Sequence, residues 1–499
     1  MSNVRDGINT NPRFVIVGAG MAGILAAIKL KERGNNNFTV YEKAHEVGGT
    51  WRENSYPGVA CDVPSHLYSY SFAPNPQWSH FFSPGDEIFK YFKDVAQRFE
   101  IYESIHFNSE VKKMTFSDGA WEIEIEDGEK DKADYVISAT GVLHHPNYPN
   151  IEGLDDFHGY KFHTARWNHS VDLSDKSVGI IGTGSSAVQV ISALAGSVKE
   201  LNVFQRTPQW VLKVPNLEIS DEDKGRYMND PAMLKTVRDE LSTLFEINFA
   251  NAVVDADSNE AKMLQVMCEM NLNDSVKDEV LREKLRPGYR AACKRLVVSP
   301  NFYEAFSSSS TNLITENIKR VEPDGIRLAD ETFIELDVLV LATGFKVDMF
   351  MRPIEVIGLK EESLEHVWEE RPSAYMAIAI PDFPNMFMLN GPNGPVGNFS
   401  LIEVAELQIE YIFALIDFAR EQSNGSKNSL KHGIIHPKHA ALEAFESERV
   451  EATKHTVWVT GCNSWYLDDR GIPQAWPWTF TRFREEMNSP RFEDYELVP

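Results

Sequence analysis

The chain has 499 residues, too many for one ordinary hydrophobic core, so two or three domains are expected. With 42% hydrophobic and 25% charged residues it is globular, neither disordered nor fibrous. Its 49 Lys+Arg against 74 Asp+Glu leave a net charge of −25, which argues against a nucleic-acid or anionic-membrane binder. Four cysteines (Cys61, Cys268, Cys293, Cys462) without a C-x-x-C give no expectation of a disulfide framework, a zinc site or a dithiol redox centre. The longest apolar stretch, Phe14 to Ile28, holds three glycines and is too short to span a bilayer. Met1 to Asp6 lacks the apolar core of a signal peptide, so a cytoplasmic protein is expected.

In chain order, Arg13 to Val17 reads as a strand that runs into Gly18-Ala19-Gly20-Met21-Ala22-Gly23. A helix follows to about Arg33, then a second strand, Phe38 to Tyr41, ending at Glu42. The same grammar recurs at Ser177 to Ile181, the turn Gly182-Thr183-Gly184-Ser185-Ser186-Ala187, a helix, and a strand from Leu201 to Phe204. This is a duplicated mononucleotide-binding unit. Between Trp210 and Arg290 helical spacing replaces strands, as in Ala232 to Ile247 and Ala261 to Met270, which predicts a helical insertion. Strands at Tyr135 to Ser138 and Leu336 to Leu341 close on Ala139-Thr140-Gly141 and Ala342-Thr343-Gly344, each a crossing between two domains. A long amphipathic helix, about Leu401 to Arg420, and an aromatic tail, Trp458 to Phe483, complete the chain. The fold class is therefore α/β, with two Rossmann-like dinucleotide-binding domains and an inserted helical domain. The expected division is 1–142 and 346–499 for the first domain, 143–212 and 290–345 for the second, and 213–289 for the insertion.

The first turn suits a pyrophosphate. Gly18 permits the tight turn, Gly20 a close backbone approach, and Gly23 tight helix–strand packing. The helix N-terminus adds free N–H groups. Glu42 follows 24 residues after Gly18, where a carboxylate accepts ribose hydroxyls and repels a 2′-phosphate, so FAD or NAD is favoured there. In the second unit Gly182, Gly184 and Ala187 form the turn, and Arg206 stands 24 residues after Gly182, beside Thr207. A guanidinium and a hydroxyl there suit a 2′-phosphate. FAD plus NADPH is the economical pair, and two such cofactors imply hydride transfer between them.

The linker between the two units reads Phe157-His158-Gly159-Tyr160-Lys161-Phe162-His163-Thr164-Ala165-Arg166-Trp167. This F-x-G-x-x-x-H-x-x-x-W resembles the fingerprint of type I Baeyer–Villiger monooxygenases, a branch of the class B flavoprotein monooxygenases. Gly48-Gly49-Thr50-Trp51, Tyr56-Pro57-Gly58 and Asp62 resemble a second signature of that family. The likeness runs from Gly18 to Ser464-Trp465-Tyr466. The residue after Trp167 is Asn168, where the family usually has Pro or Asp. The resemblance implies that Gly18, Gly20, Gly23, Glu42, Thr50, Trp51 and Tyr68 bind FAD. It implies that Gly182, Thr183, Gly184, Ser185, Ser186 and Gln189 hold the NADP pyrophosphate, that Arg206, Thr207 and Lys294 take the 2′-phosphate, and that Trp465 contacts the nicotinamide nucleotide. Arg295 would lie over the flavin with Asp62 as its carboxylate partner, and Leu401 near the ring. His163 would couple domain motion to cofactor binding.

The implied reaction uses NADPH and O2 to insert an oxygen atom beside a ketone carbonyl, giving an ester or lactone by way of a flavin peroxide. A fixed cation in a dry pocket favours a peroxide anion over its protonated form, and Arg keeps its charge when desolvated whereas Lys can lose it. Two other readings stay open: an N- or S-hydroxylating flavin monooxygenase, and a non-catalytic flavin-binding redox sensor. Trp51, Trp458, Trp465, Trp476 and Trp478 read more readily as core or interface than as catalytic groups. Cys61 and Cys293 read as buried inert thiols. His144 and His145 lack a second ligand pair, so no metal is expected. The turn Asn390 to Asn398 precedes a helix whose N-terminus can face the flavin.

Overall fold

The computed structural model describes residues 11–397, 399–424 and 433–498. Met1 to Asp6 and Asn398 lie outside them. Strand β1 (Phe14–Val17) is buried along its whole length, as a central parallel strand covered on both faces must be. It runs into α1 (Met21–Glu32), which buries Ile24, Leu25, Ile28 and Leu30, each worth about 1.5–3 kcal/mol of transfer free energy. Lys29 and Lys31 in its last turn complement the helix dipole. Then come β2 (Phe38–Tyr41), β3 (Ile105–His106) and β4 (Tyr135–Ser138).

The second unit contains β5 (Tyr160–His163), β6 (Ser177–Ile181), α2 (Ser185–Leu194), β7 (Glu200–Phe204), β8 (Thr311–Ile314) and β9 (Val338–Leu341). The chain returns to the first unit with β10 (Met386–Met388) and α3 (Leu401–Asn424). Two five-stranded sheets result, ordered β10-β4-β1-β2-β3 and β8-β7-β6-β9-β5. Every pairing in them is parallel. In each, the strand that feeds the glycine turn, β1 or β6, lies inside the sheet with a parallel neighbour on both sides. Parallel sheets of this kind bind ligands in the crevice beyond the carboxyl ends of such strands.

The helical stretch between the units is present, as Asp221–Asn229, Pro231–Phe245, Asn259–Ser275 and Glu279–Leu285. Asp230 caps the second of these by accepting from the N–H groups of Ala232 and Met233, with Pro231 in the first turn. Ser258 caps the third through the Ala261 N–H. A π-helical turn, Glu246–Ala250, follows Phe245.

Two smaller sheets were not anticipated. One combines Val111–Ser117, Ala120–Ile125, Lys130–Ala133 and Glu355–Ile357; the other is antiparallel, Ile318–Glu322, Gly325–Leu328 and Phe333–Glu335. The chain that follows the first Ala-Thr-Gly crossing meets the second: Asn147 N–H donates to Gly344 O at 2.8 Å, and the Thr343 hydroxyl donates to Asn147 O at 2.6 Å. No described helix is long and apolar enough to cross a membrane.

Candidate active site

A cleft opens at the carboxyl ends of β1 and β2. It is lined by Gly18, Gly20, Glu42, Thr50, Trp51, Tyr68 and Leu401, seven of the residues expected at FAD. At Gly18 a β-carbon would come 2.6 Å from Ala139 O, and at Gly23 it would come 1.8 Å from Gly18 O, so the turn closes only with hydrogen there. The Glu42 carboxylate accepts from Ala19 N–H at 2.8 Å and Ala44 N–H at 2.9 Å, which fixes it at the end of β2. Trp51 Nε1 donates to the Tyr68 hydroxyl at 3.1 Å, joining two walls of the cleft. Asn390 also lines it, and its buried Oδ1 has no partner among the described residues. A cleft whose lining combines a glycine cradle with an unsatisfied buried acceptor fits FAD.

The second cradle repeats this construction. A β-carbon at Gly182 would come 2.3 Å from Ala342 O, whereas one at Gly184 would meet nothing within 4 Å, which leaves that face open to a ligand. The Thr183 hydroxyl donates to Thr207 O at 2.7 Å and so ties the turn to the Arg206 loop. Burial and the positive charge of Arg206 push Lys294 below its ordinary value, so the two cations act on each other. Lys294 Nζ also lies 5.1 Å from the centre of the Tyr289 ring. Ser185 and Ser186 open α2. The Gln189 amide is occupied elsewhere: its oxygen accepts from the Tyr56 hydroxyl at 2.8 Å and its nitrogen donates to Ala60 O at 3.0 Å. It joins the second unit to the Tyr56-Pro57-Gly58 loop of the first.

Arg295 Nη2 and Nε donate to Asp62 Oδ2 at 2.6 and 3.2 Å, and Nη1 donates to Gly397 O at 2.8 Å. Burial works against the guanidinium charge, but Asp62 and Tyr466 outweigh it and hold Arg295 above its ordinary value. Neither member of the pair lines the first cleft, but Gly397, to which Arg295 is bonded, follows Val396, which does. His163 is fully buried in the linker. It accepts from Ala165 N–H at Nδ1 (3.1 Å) and bonds Gly344 O at Nε2 (3.0 Å), so it fastens the fingerprint to the second crossing.

The family described as pyridine nucleotide-disulphide oxidoreductase matches residues 15–228. A Baeyer–Villiger monooxygenase of Streptomyces coelicolor is 37% identical over 98% of this chain and 93% of its own. The chain belongs to the Baeyer–Villiger monooxygenase family. An uncharacterised monooxygenase of Mycobacterium tuberculosis is 42% identical over 97% of the chain and 96% of its own. A cyclohexanone monooxygenase from Rhodococcus sp. Phi1, crystallised with NADP+, superposes with a TM-score of 0.86 at 27% identity, covering 98% of this chain and 99% of that one.

Seen as a Baeyer–Villiger enzyme, the molecule corrects one expectation and adds to others. Cys293 is not a free thiol: it is bonded to Cys462, 169 residues away, with their Cα atoms 6.1 Å apart. Spacing could not reveal this, because the two loops meet only in the fold. Cys61 is a buried free thiol that burial pushes up, as an inert group requires. Arg52, which sequence reasoning passed over, reaches Glu42 at 3.4 Å and lines the FAD cleft. It falls within the Gly48 to Asp62 signature, and its charge beside Glu42 was the available clue. The tryptophans divide. Trp458 and Trp476 are buried, and Trp476 packs against Trp478 and Phe483, whereas Trp465 stacks on Tyr466 beside Arg295. His144 and His145 bond the carbonyls of Phe350 and Arg352 at the cleft wall. Asn168 Oδ1 accepts from the N–H and hydroxyl of Ser170, a turn that an Asp would make equally well.

Proposed function

We propose that this enzyme uses NADPH and O2 to insert one oxygen atom beside the carbonyl of a ketone, giving an ester or lactone. The observation that carries the reading is the Asp62–Arg295 ion pair at 2.6 Å, bonded through Gly397 to the segment whose Val396 lines the FAD cleft and next in sequence to Lys294. Bound FAD, reduced by NADPH, supplies the activated oxygen atom.

The chain supplies orientation and charge. Gly18, Gly20, Gly23 and the N-terminus of α1 hold the FAD pyrophosphate, and Glu42 takes its ribose. Arg206 and Lys294 neutralise the 2′-phosphate of NADPH, beside Thr207. Ser185 and Ser186 offer the α2 N-terminus to its pyrophosphate, and Trp465 stands at the nicotinamide end. Arg295 offers a permanent cation to the negative charge that develops on the substrate's carbonyl oxygen. Asp62 fixes the plane of the guanidinium and offsets the cost of desolvating it. The substrate class is a ketone, by the same logic that gives the cyclohexanone monooxygenase its name. We assign 1–142 and 346–499 to the FAD domain, 143–212 and 290–345 to the NADP domain, and 213–289 to the helical insertion.

The test is oxygen-coupled NADPH turnover across a panel of ketones, with products identified by mass. Arg295→Ala should keep FAD and still consume NADPH while giving little ester. Normal ester yield from that variant would refute the assignment.

A further inference from the structure

Arg295 has a second polar neighbour that the reaction above leaves unassigned. Tyr466 is buried, and its ring is stacked on Trp465 at 4.1 Å and packed against Trp458 at 5.2 Å between ring centres. Its hydroxyl lies so close to Gly397 that a β-carbon there would come within 2.1 Å of the oxygen. Gly397 has φ +95°, and its carbonyl is the one that accepts from Arg295 Nη1. The phenol oxygen therefore packs on the very residue whose carbonyl holds Arg295.

A guanidinium has five N–H donors in a rigid plane. Asp62 takes two of them along one edge, and Gly397 O takes one at the far nitrogen. Held by the single oxygen Asp62 Oδ2, the group would remain able to tilt about that edge. Gly397 O, the acceptor away from Asp62, removes the tilt only if it is itself held in place, and the Tyr466 hydroxyl packs against that residue. The backbone is shaped for it, because any side chain at residue 397 would occupy the space of the phenol oxygen.

We propose that Tyr466 is a positioning residue for Arg295: its hydroxyl, packed against Gly397, holds the carbonyl that accepts from Nη1, so that the remaining donors of the guanidinium meet the substrate carbonyl in one orientation. The Cys293–Cys462 bond supports the arrangement, since it joins the segment carrying Arg295 to the segment carrying Tyr466. The inference rests on the role proposed for Arg295.

Tyr466→Phe tests it, because the variant keeps the ring stack and removes only the hydroxyl. It should retain FAD, thermal stability and KM for NADPH. Ester formed per NADPH consumed should fall about tenfold, the factor that ~1.4 kcal/mol makes in a rate, with hydrogen peroxide making up the difference. A role confined to packing would instead lower FAD content or stability and leave the ester-to-peroxide ratio unchanged. An unchanged ratio in Tyr466→Phe overturns the inference while wild-type ester formation keeps the proposed function. Absence of ester from the wild type across the ketone panel refutes the function itself.

Discussion

Reduction of the Cys293–Cys462 bond should destabilise the protein without dismantling its native packing. The bond closes a loop of 169 residues. In the chain-entropy account, a closure of that length removes about 5 kcal/mol of denatured-state freedom at 25 °C, near the top of the range seen for native disulfides. Both cysteines are buried in the core of the second unit, so two thiols can take the place of the bond with little loss of contact. The loss should therefore appear as about 3–5 kcal/mol in unfolding, with a larger denaturant slope because the reduced chain expands further. Cysteine titration under denaturing conditions should find two thiols, Cys61 and Cys268, before reduction and all four afterwards. Denaturant unfolding followed with and without reductant then gives the energy. Four thiols in the unreduced protein, or superimposable unfolding curves, would refute the reasoning.

Two further outcomes concern the cofactors. Burial and Arg206 both lower Lys294, so rising pH removes its proton sooner than usual, and the 2′-phosphate loses a cation. KM for NADPH should climb through the alkaline range while KM for NADH stays flat. Arg206→Ala should weaken NADPH binding about 10–100-fold, the worth of one charge-assisted bond to phosphate, and shift that climb to higher pH. Parallel initial-rate pH profiles with the two nucleotides check both effects. Gly23→Ala places a β-carbon 1.8 Å from Gly18 O and should yield protein largely without flavin. Gly184→Ala, where the β-carbon meets nothing within 4 Å, should keep its flavin absorbance.

The parts of this molecule that the sequence made legible are those whose cause is local. Strand, glycine turn and helix lie within some thirty residues, and Glu42 and Arg206 are read by their equal distance from Gly18 and Gly182. The Asp62–Arg295 pair was legible only through resemblance, because 233 residues separate its members. The Cys293–Cys462 bond, the Gln189 tie to Tyr56 and Ala60, and the closeness of Tyr466 to Gly397 have no local signature at all. Each arises where two segments far apart in sequence are brought together by packing elsewhere. The strand Ala120–Ile125 differs, since Trp121, Ile123 and Ile125 alternate with Glu122 and Glu124 and bury on one face. That period of two was present in the sequence and was outweighed by the stronger Rossmann pattern around it.

The net charge of −25 gives the arrangement of cations its logic. Both cofactors are anionic, so an acidic protein must bind them with a few placed positive charges and two helix N-termini. Among the described residues, no ion pair is recorded for Arg206 or Lys294, and they stand close enough to depress Lys294. That is the state expected of a site whose counter-charge arrives with the ligand, and under the role proposed for Arg206 and Lys294 the cost of that repulsion would be recovered when a 2′-phosphate binds, favouring NADPH over NADH. Arg295 is treated in the opposite way, with its carboxylate partner built in at 2.6 Å. A group that must meet charge only as it develops gains nothing from being unpaired beforehand and gains much from being held still. The two uses of cations predict different responses to salt. NADPH binding should weaken as ionic strength rises, whereas the ester-to-peroxide ratio at saturating NADPH, set by a pre-paired and partly buried guanidinium, should move less.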